Sequence, residues 1–171
     1  RRVLFRAVRA ARERGIPILH RSEVLADILR MKPNAVVVGG SHGKTTTTSM
    51  ISAILDEADI GATSIVGGIL HRSGTNARWG AGEYIVAEAD EHDGSFLRLH
   101  PPIGLVTHID PEHFDSYATL DILQPAFVHF SNRAPLSGYS VFCISSELVC
   151  SLLISSLAVA STYGLHESAC L

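Results

Sequence analysis

The chain is short of cross-linking residues, of membrane-length apolar runs and of net charge. Its 171 residues include three cysteines, Cys143, Cys150 and Cys170, an odd number with no CxxC pair. That argues against a disulfide framework or a zinc site and for reduced thiols in a cytoplasm-like compartment, so a cytoplasmic location is expected. No apolar run reaches the roughly 18 residues of a membrane span. The nearest, "LVCSLLISSLAVA", is short and rich in serine, and reads as a buried helix followed by a strand. With a formal net charge of −3 and a pI near 6.3, no global field draws nucleic acid. Neither a nucleic-acid nor a membrane partner is expected. Lysine is rarer than cysteine: Lys32 and Lys44 are the only two. What the chain does have is apolar mass, 46% of residues against 18% charged, enough for one globular domain with a real core.

Six of the fourteen basic residues crowd the first fourteen positions. Arg2, Arg6 and Arg9 share a helical face with Glu13, opposite Leu4, Val8 and Ala11, the pattern of a solvated amphipathic helix. This helix is expected to end at Gly15. "IPIL" then reads as a short strand and "SEVLADILRM" as a helix capped by Ser22 and stopped by Pro33. "NAVVVGG" is a β-branched run bounded by glycines, as in a strand buried on both faces. Residues 44–58 read as a helix with Met50, Ile51, Ile54 and Leu55 on one side. Strand-like "TSIVGG", "EYIVAEAD" and "IGLVTHI" follow, then helical "TLDILQPAFVHF", in which Pro125 should kink the helix or mark its start. "YSVFCI" as a strand, "ELVCSLLI" as a helix and "LAVAST" as a strand complete the series. Such alternation predicts an α/β fold with a parallel sheet flanked by helices.

The string "GGSHGKTTTTSM" sits where the first buried strand turns into a helix. A strand that turns into a helix through glycines presents bare backbone N–H groups at a helix N-terminus, and these with the helix dipole favour an anion. Gly40 and Gly43 allow close backbone approach, Lys44 adds positive charge, and Thr45 places a hydroxyl where it can ligate magnesium. The string lacks the first glycine of the full GxxxxGK[ST] pattern, where Val38 stands. Taken alone it fits a fortuitous turn equally well; the flanking strand and helix favour phosphate.

Two further clusters follow predicted strands and should emerge at the carboxyl edge of the sheet, where open α/β sheets bind ligands. "VAEADEHDGSF" supplies Glu88, Asp90, Glu91 and Asp93, with Glu88 at the strand's end the first choice for a magnesium ligand. "THIDPEHFDSY" supplies Asp110, Glu112, His113 and Asp115, with His113 the candidate that joins the lysine, threonine and glutamate.

Together, "GSHGKTTTT", "GTNARWGAGEYIVAEADEHDGSFL" and "THIDPEHFDSY" resemble the Mur ligase family, in the branch that adds L-alanine to UDP-N-acetylmuramate. The order and spacing agree, with 43 residues from Thr45 to Glu88. The resemblance implies ATP and Mg2+ as cofactors and UDP-N-acetylmuramate and L-alanine as substrates of a full-length enzyme. ATP would phosphorylate the carboxylate, and the amine would displace phosphate from the acyl phosphate. It also implies that Gly40, Ser41, His42, Gly43, Lys44, Thr45 and Thr46 bind nucleotide. Lys44, Glu88 and His113 would act in catalysis, Thr45, Glu88 and His113 would hold metal, and Asn76 and Arg78 would lie near the muramyl substrate. Three positions depart from the family pattern: Ser41 for a threonine, His108 for an asparagine, and "ISSE" at 144–147 for an acidic pair. The expected organisation is the tail of an N-terminal UDP-binding domain over 1–32 and a partial central ATP-binding domain over 33–171. Such a fragment would be inactive alone and would leave apolar surface exposed. A muramyl-peptide recycling ligase and a non-catalytic nucleotide-binding remnant are the alternatives.

Overall fold

A computed structural model describes residues 2–70, 74–90, 94–110 and 120–165. The continuous apolar run at its centre forms β1 (Asn34–Gly39), in which Val37 and Val38 are fully buried. A strand covered on both faces has no use for alternating polarity, and this run shows none. Around it lies a sheet of seven strands in the order β3-β2-β4-β1-β5-β6-β7. These are β2 (Thr63–Leu70), β3 (Thr75–Arg78), β4 (Tyr84–Glu88), β5 (Ile103–Val106), β6 (Tyr139–Cys143) and β7 (Ala160–Tyr163).

Every neighbouring pair runs parallel except β2 with β3, so the sheet is mixed rather than wholly parallel. β3 escapes sequence reading because it is four residues long and largely exposed, with no alternation to betray it. β1 stands between β4 and β5, and the chain passes over it from one to the other. That crossover opens a crevice at the carboxyl ends of β1, β4 and β5.

The two faces of the sheet are packed differently. Ala35, Val37, Ile85 and Ala87 point into the large core. There they meet Ala26 and Leu29 of α2 (Arg21–Arg30), Phe127 and Phe130 of α4 (Leu120–Ser131), and Val149 and Leu152 of α5 (Glu147–Ser155). Phe96, in a single 3-10 turn at Ser95–Arg98, packs its ring 5.1 Å from Phe127 and 5.5 Å from Phe130. By the alternation of strand side chains, Val36, Val38 and Val86 face the other side, where α3 (Lys44–Glu57) lies over β1, β2 and β4.

Several local expectations are corrected. "IPIL" forms no strand: Ile16, Ile18 and Leu19 are about half exposed, and Pro17 has no N–H to offer a neighbour. The N-cap of α2 is His20, not Ser22. The His20 ring accepts from the Ser22 backbone N–H, and the Glu23 carboxylate accepts the His20 N–H at 2.7 Å, a reciprocal capping box. Ser22 is buried inside the first turn. α3 turns Thr48 and Ser52 to the sheet and leaves Met50 and Ile54 more than half exposed, because small residues let the helix lie close. Pro125 lies inside α4 without ending it. α1 (Arg2–Glu13) matches the expected solvated helix, and none of its described side chains joins the main core.

Candidate active site

The loop after β1 is built from the backbone outward. Gly40 takes φ +132° and Gly43 φ +81°, the left-handed side of conformational space that glycine enters without penalty. At Gly40 the requirement is also steric, since a Cβ there would lie 2.2 Å from Thr107 Oγ1 and 2.9 Å from the His108 carbonyl. The loop is clasped by the segment after β5. Ser41 N–H donates to the His108 carbonyl at 2.6 Å, Thr107 donates its hydroxyl to the His42 carbonyl at 2.6 Å, and the Ser41 hydroxyl accepts the Asp110 N–H at 2.7 Å. Gly43 is the N-cap residue of α3 and makes no side-chain cap bond, so the positive end of the helix dipole is presented at the loop.

Lys44 opens α3 and curls back over the loop, where its Nζ donates to the Gly40 carbonyl at 2.6 Å. Lys32, the other lysine, is committed elsewhere. Its Nζ donates to the Gly80 and Gly82 carbonyls at 3.0 and 2.6 Å and sits 4.7 Å from the centre of the Trp79 ring. Thr45 donates its hydroxyl to Glu88 Oε2 at 3.2 Å, across the sheet from α3 to the end of β4. The other carboxylate oxygen of Glu88, Oε1, is buried and has no hydrogen-bond partner. Lys44 and Glu88 both line a cleft of about 620 Å³, whose walls are largely apolar: Val24, Leu25 and Ile28 of α2 on one side, Ile65 and Val66 of β2 on the other.

The remaining candidates divide. Asp90 faces the same cleft but pairs with Arg21 at 2.5 Å, which ties the loop after β4 to α2. Asp110 reaches the glycine loop, with its Oδ2 3.4 Å from His42 Nε2. His108 stacks on His42 with ring centres 6.1 Å apart and makes an isolated bridge with it. Asn76 is exposed on β3. Arg78 lies away from the loop: its guanidinium pairs with Asp56 near the far end of α3 and donates to the Ala62 carbonyl at 3.2 Å. Twelve residues of helix, about 18 Å, separate Asp56 from Lys44, so Arg78 anchors β3 to α3 rather than facing the phosphate loop. Glu91, Asp93, Glu112, His113 and Asp115 lie outside the described residues. Sequence reasoning missed Thr107, which clasps the loop, and the pair Gly67–Gly68, which stands against Glu88 and Thr45. The doubled glycine inside a strand-like run was the available signal.

The sequence profile of the Mur ligase middle domain matches residues 38–170, from the last residues of β1 onward. The chain belongs to the Mur ligase family. Among relatives of this Mur ligase chain, a UDP-N-acetylmuramate–L-alanine ligase from Myxococcus xanthus is 53% identical over 144 residues, 84% of the chain and 30% of the relative. A second, from Anaeromyxobacter dehalogenans, is 49% identical over 154 residues, 90% of the chain and 33% of the relative. The crystal structure of a UDP-N-acetylmuramate-alanine ligase from Thermotoga maritima superposes with a TM-score of 0.75 at 28% identity, covering 85% of the chain and 34% of that structure. The chain thus spans about a third of the length of these Mur ligase relatives, and the fold neighbours agree with its mostly parallel sheet flanked by helices.

Proposed function

We propose that this chain is the ATP-handling part of a ligase that joins L-alanine to UDP-N-acetylmuramate in peptidoglycan precursor synthesis. The observation that supports it most is the convergence of Lys44, Thr45 and Glu88 at one sheet edge, where one oxygen of the Glu88 carboxylate meets Thr45 and the other is buried without a partner. Of the two ligase branches weighed from sequence, the alanine-adding one is favoured by the 53% identity to such an enzyme.

In this reaction the muramyl carboxylate takes the γ-phosphoryl group of ATP, giving an acyl phosphate and ADP. The alanine amine then attacks the acyl carbon and displaces phosphate. Little covalent chemistry falls to the protein, which must hold the phosphates in line and neutralise their charge. The loop from Gly40 to Thr46 and the N-terminus of α3 would receive the phosphates. The Ser41 N–H is held by the His108 carbonyl and so shapes the loop rather than binding the anion. Lys44, satisfied here by loop carbonyls, exchanges those weak partners for phosphate oxygens. The donor set fits Mg2+: a threonine hydroxyl and a carboxylate are hard oxygen ligands, and the buried Oε1 of Glu88 lacks any other partner. Thr45 and Glu88 would hold that ion, with His113 as a further contributor, and the ion would supply charge neutralisation at the β- and γ-phosphate oxygens. Asn76 remains the candidate nearest the muramyl substrate, and Arg78 would serve it through the position of β3.

We assign residues 33–171 to the ATP-binding domain and 1–32 to the tail of a preceding UDP-binding domain and its junction. The match beginning at residue 38 supports this, while Ala26 and Leu29 show that α2 packs as part of the same core. A cytoplasmic setting suits the free thiols of Cys143 and Cys150, and no helix among the described residues is long and apolar enough to cross a membrane. We expect nucleotide binding without ligation from this chain alone. Titration calorimetry of ATP with Mg2+ tests the reading: Lys44→Ala should weaken binding at least about tenfold, as loss of a charge-assisted contact does. Equal heats in both proteins would remove the phosphate-loop assignment.

A further inference from the structure

Gly67 lies in β2 beyond the last residue that pairs with β4, Ile65 opposite Ala87. Between Ile65 and Leu70 the register of β2 against β3 shifts, so the glycine sits in an irregular stretch of strand. Glycine in a strand interior marks either a bulge or a close approach by another group. Both hold at this position. A Cβ built on Gly67 would lie 2.9 Å from Glu88 Oε2, against 3.7 Å from Glu88 Cδ. At the next residue, a Cβ on Gly68 would lie 3.3 Å from the methyl carbon of Thr45. The two glycines therefore form a notch that seats the Glu88 carboxylate and the Thr45 side chain against each other.

Neither glycine has a positive φ, so the backbone accepts alanine and the only new feature is the methyl group. The atom it would meet is the far end of a flexible side chain. Glu88 can swing away at little cost to the fold, but in swinging it carries Oε2 off the Thr45 hydroxyl.

We propose that Gly67 is a positioning residue: its absent side chain is the space that fixes the Glu88 carboxylate opposite Thr45, and that fixation sets the site's preference for Mg2+ over larger cations. The inference rests on the Mg-nucleotide reading of the site. Mg2+ demands near-ideal octahedral geometry at short distances, whereas Ca2+ tolerates longer and more irregular coordination. A carboxylate displaced by a few tenths of an ångström should cost the smaller ion more.

The test compares wild type and Gly67→Ala in the full 171-residue chain. ATP affinity is measured without divalent ion, with MgCl2 and with CaCl2, and thermal melting is followed in parallel. In the variant, the enhancement of ATP affinity by Mg2+ should fall about tenfold, the size of effect seen when groups around a metal ligand are disturbed. The enhancement by Ca2+ should fall by less than half as much on a logarithmic scale, with metal-free affinity and melting temperature unchanged. Undiminished Mg2+ enhancement in Gly67→Ala would overturn the proposal. So would equal losses with both ions together with a lowered melting temperature, which would make Gly67 a packing residue only. A wild type whose ATP affinity ignores Mg2+ would instead fail at the level of the site itself, and the two failures are told apart by the wild-type measurement.

Discussion

Lys44 owes its place to three neighbours that have no charge at all. Gly40, Gly43 and Thr107 decide where the lysine stands, because the loop between β1 and α3 closes only if backbone meets backbone at His108. Gly40 is the least replaceable. Alanine there must accept φ +132° and place a methyl carbon inside the radius of Thr107 Oγ1. Left-handed strain and overpacking together cost about 3 kcal/mol or more. Gly40→Ala should therefore lower the thermal midpoint by several degrees and abolish ATP binding. A variant that melts like wild type would mean the loop has room the geometry denies. The same scale separates Glu88 from Asp90 and Asp110 among the described acids of the site. Asp90 is held by Arg21, and Asp110 lies beside His42, while one oxygen of Glu88 is buried without a partner.

Among the elements, α3 is the one whose packing departs most from its sequence pattern. It buries hydroxyls rather than its methionine and isoleucines: Thr48 and Ser52 lie against the sheet, and Thr48 Oγ1, Ser52 Oγ and Ser64 Oγ of β2 are buried without partners. An unsatisfied buried hydroxyl carries a desolvation cost of about 1–3 kcal/mol. Replacing Thr48 by valine keeps the shape and removes that cost, so Thr48→Val should raise stability by about 1 kcal/mol. Urea unfolding with an unchanged slope would register it as a higher midpoint. Destabilisation instead would reveal a bound water satisfying these groups. Amphipathic period predicts that a helix exists better than which face it buries, because close approach to a sheet rewards small side chains over apolar ones.

For the molecule as a whole, the two edges and two faces of the sheet are unequal. The carboxyl edge of β1, β4 and β5 carries the candidate site, and the large core lies under α2, α4 and α5. At the opposite edge Arg133 of the chain after α4 donates to His129 at 2.9 Å and also to the ring of His100, which precedes β5. Burial and the Arg133 guanidinium lower the His100 pKa below its usual 6.5, more than its contact with the Arg98 carbonyl raises it; Arg30 and His129 add to the lowering. A histidine whose folded pKa is depressed binds its proton more readily when unfolded. Stability from this group is thus present above pH 6.5 and is lost as pH falls through the lower folded value. Wild type should lose more urea stability between neutral and mildly acidic pH than His100→Gln. Parallel pH profiles would exclude His100 as the cause. Ile154 of α5 and Leu157 and Val159, between α5 and β7, are exposed.

What the sequence determined by itself was the local grammar of the site. A β-branched run, two glycines, a lysine and a helix lie within about two dozen consecutive residues, and their chemistry needs no distant partner to be legible. The order of the other strands and helices was legible for the same reason, β3 and the absent strand at 16–19 excepted, since hydrophobic period is a property of the segment that carries it. Tertiary structure alone decided that Asp90 is tied to Arg21, that β3 runs antiparallel, that Arg78 serves Asp56, and that Gly67 makes room for Glu88. Each of these depends on strand register and on groups separated in the chain meeting at a few ångströms. A residue type and its neighbours in the chain carry no such information until the sheet has closed.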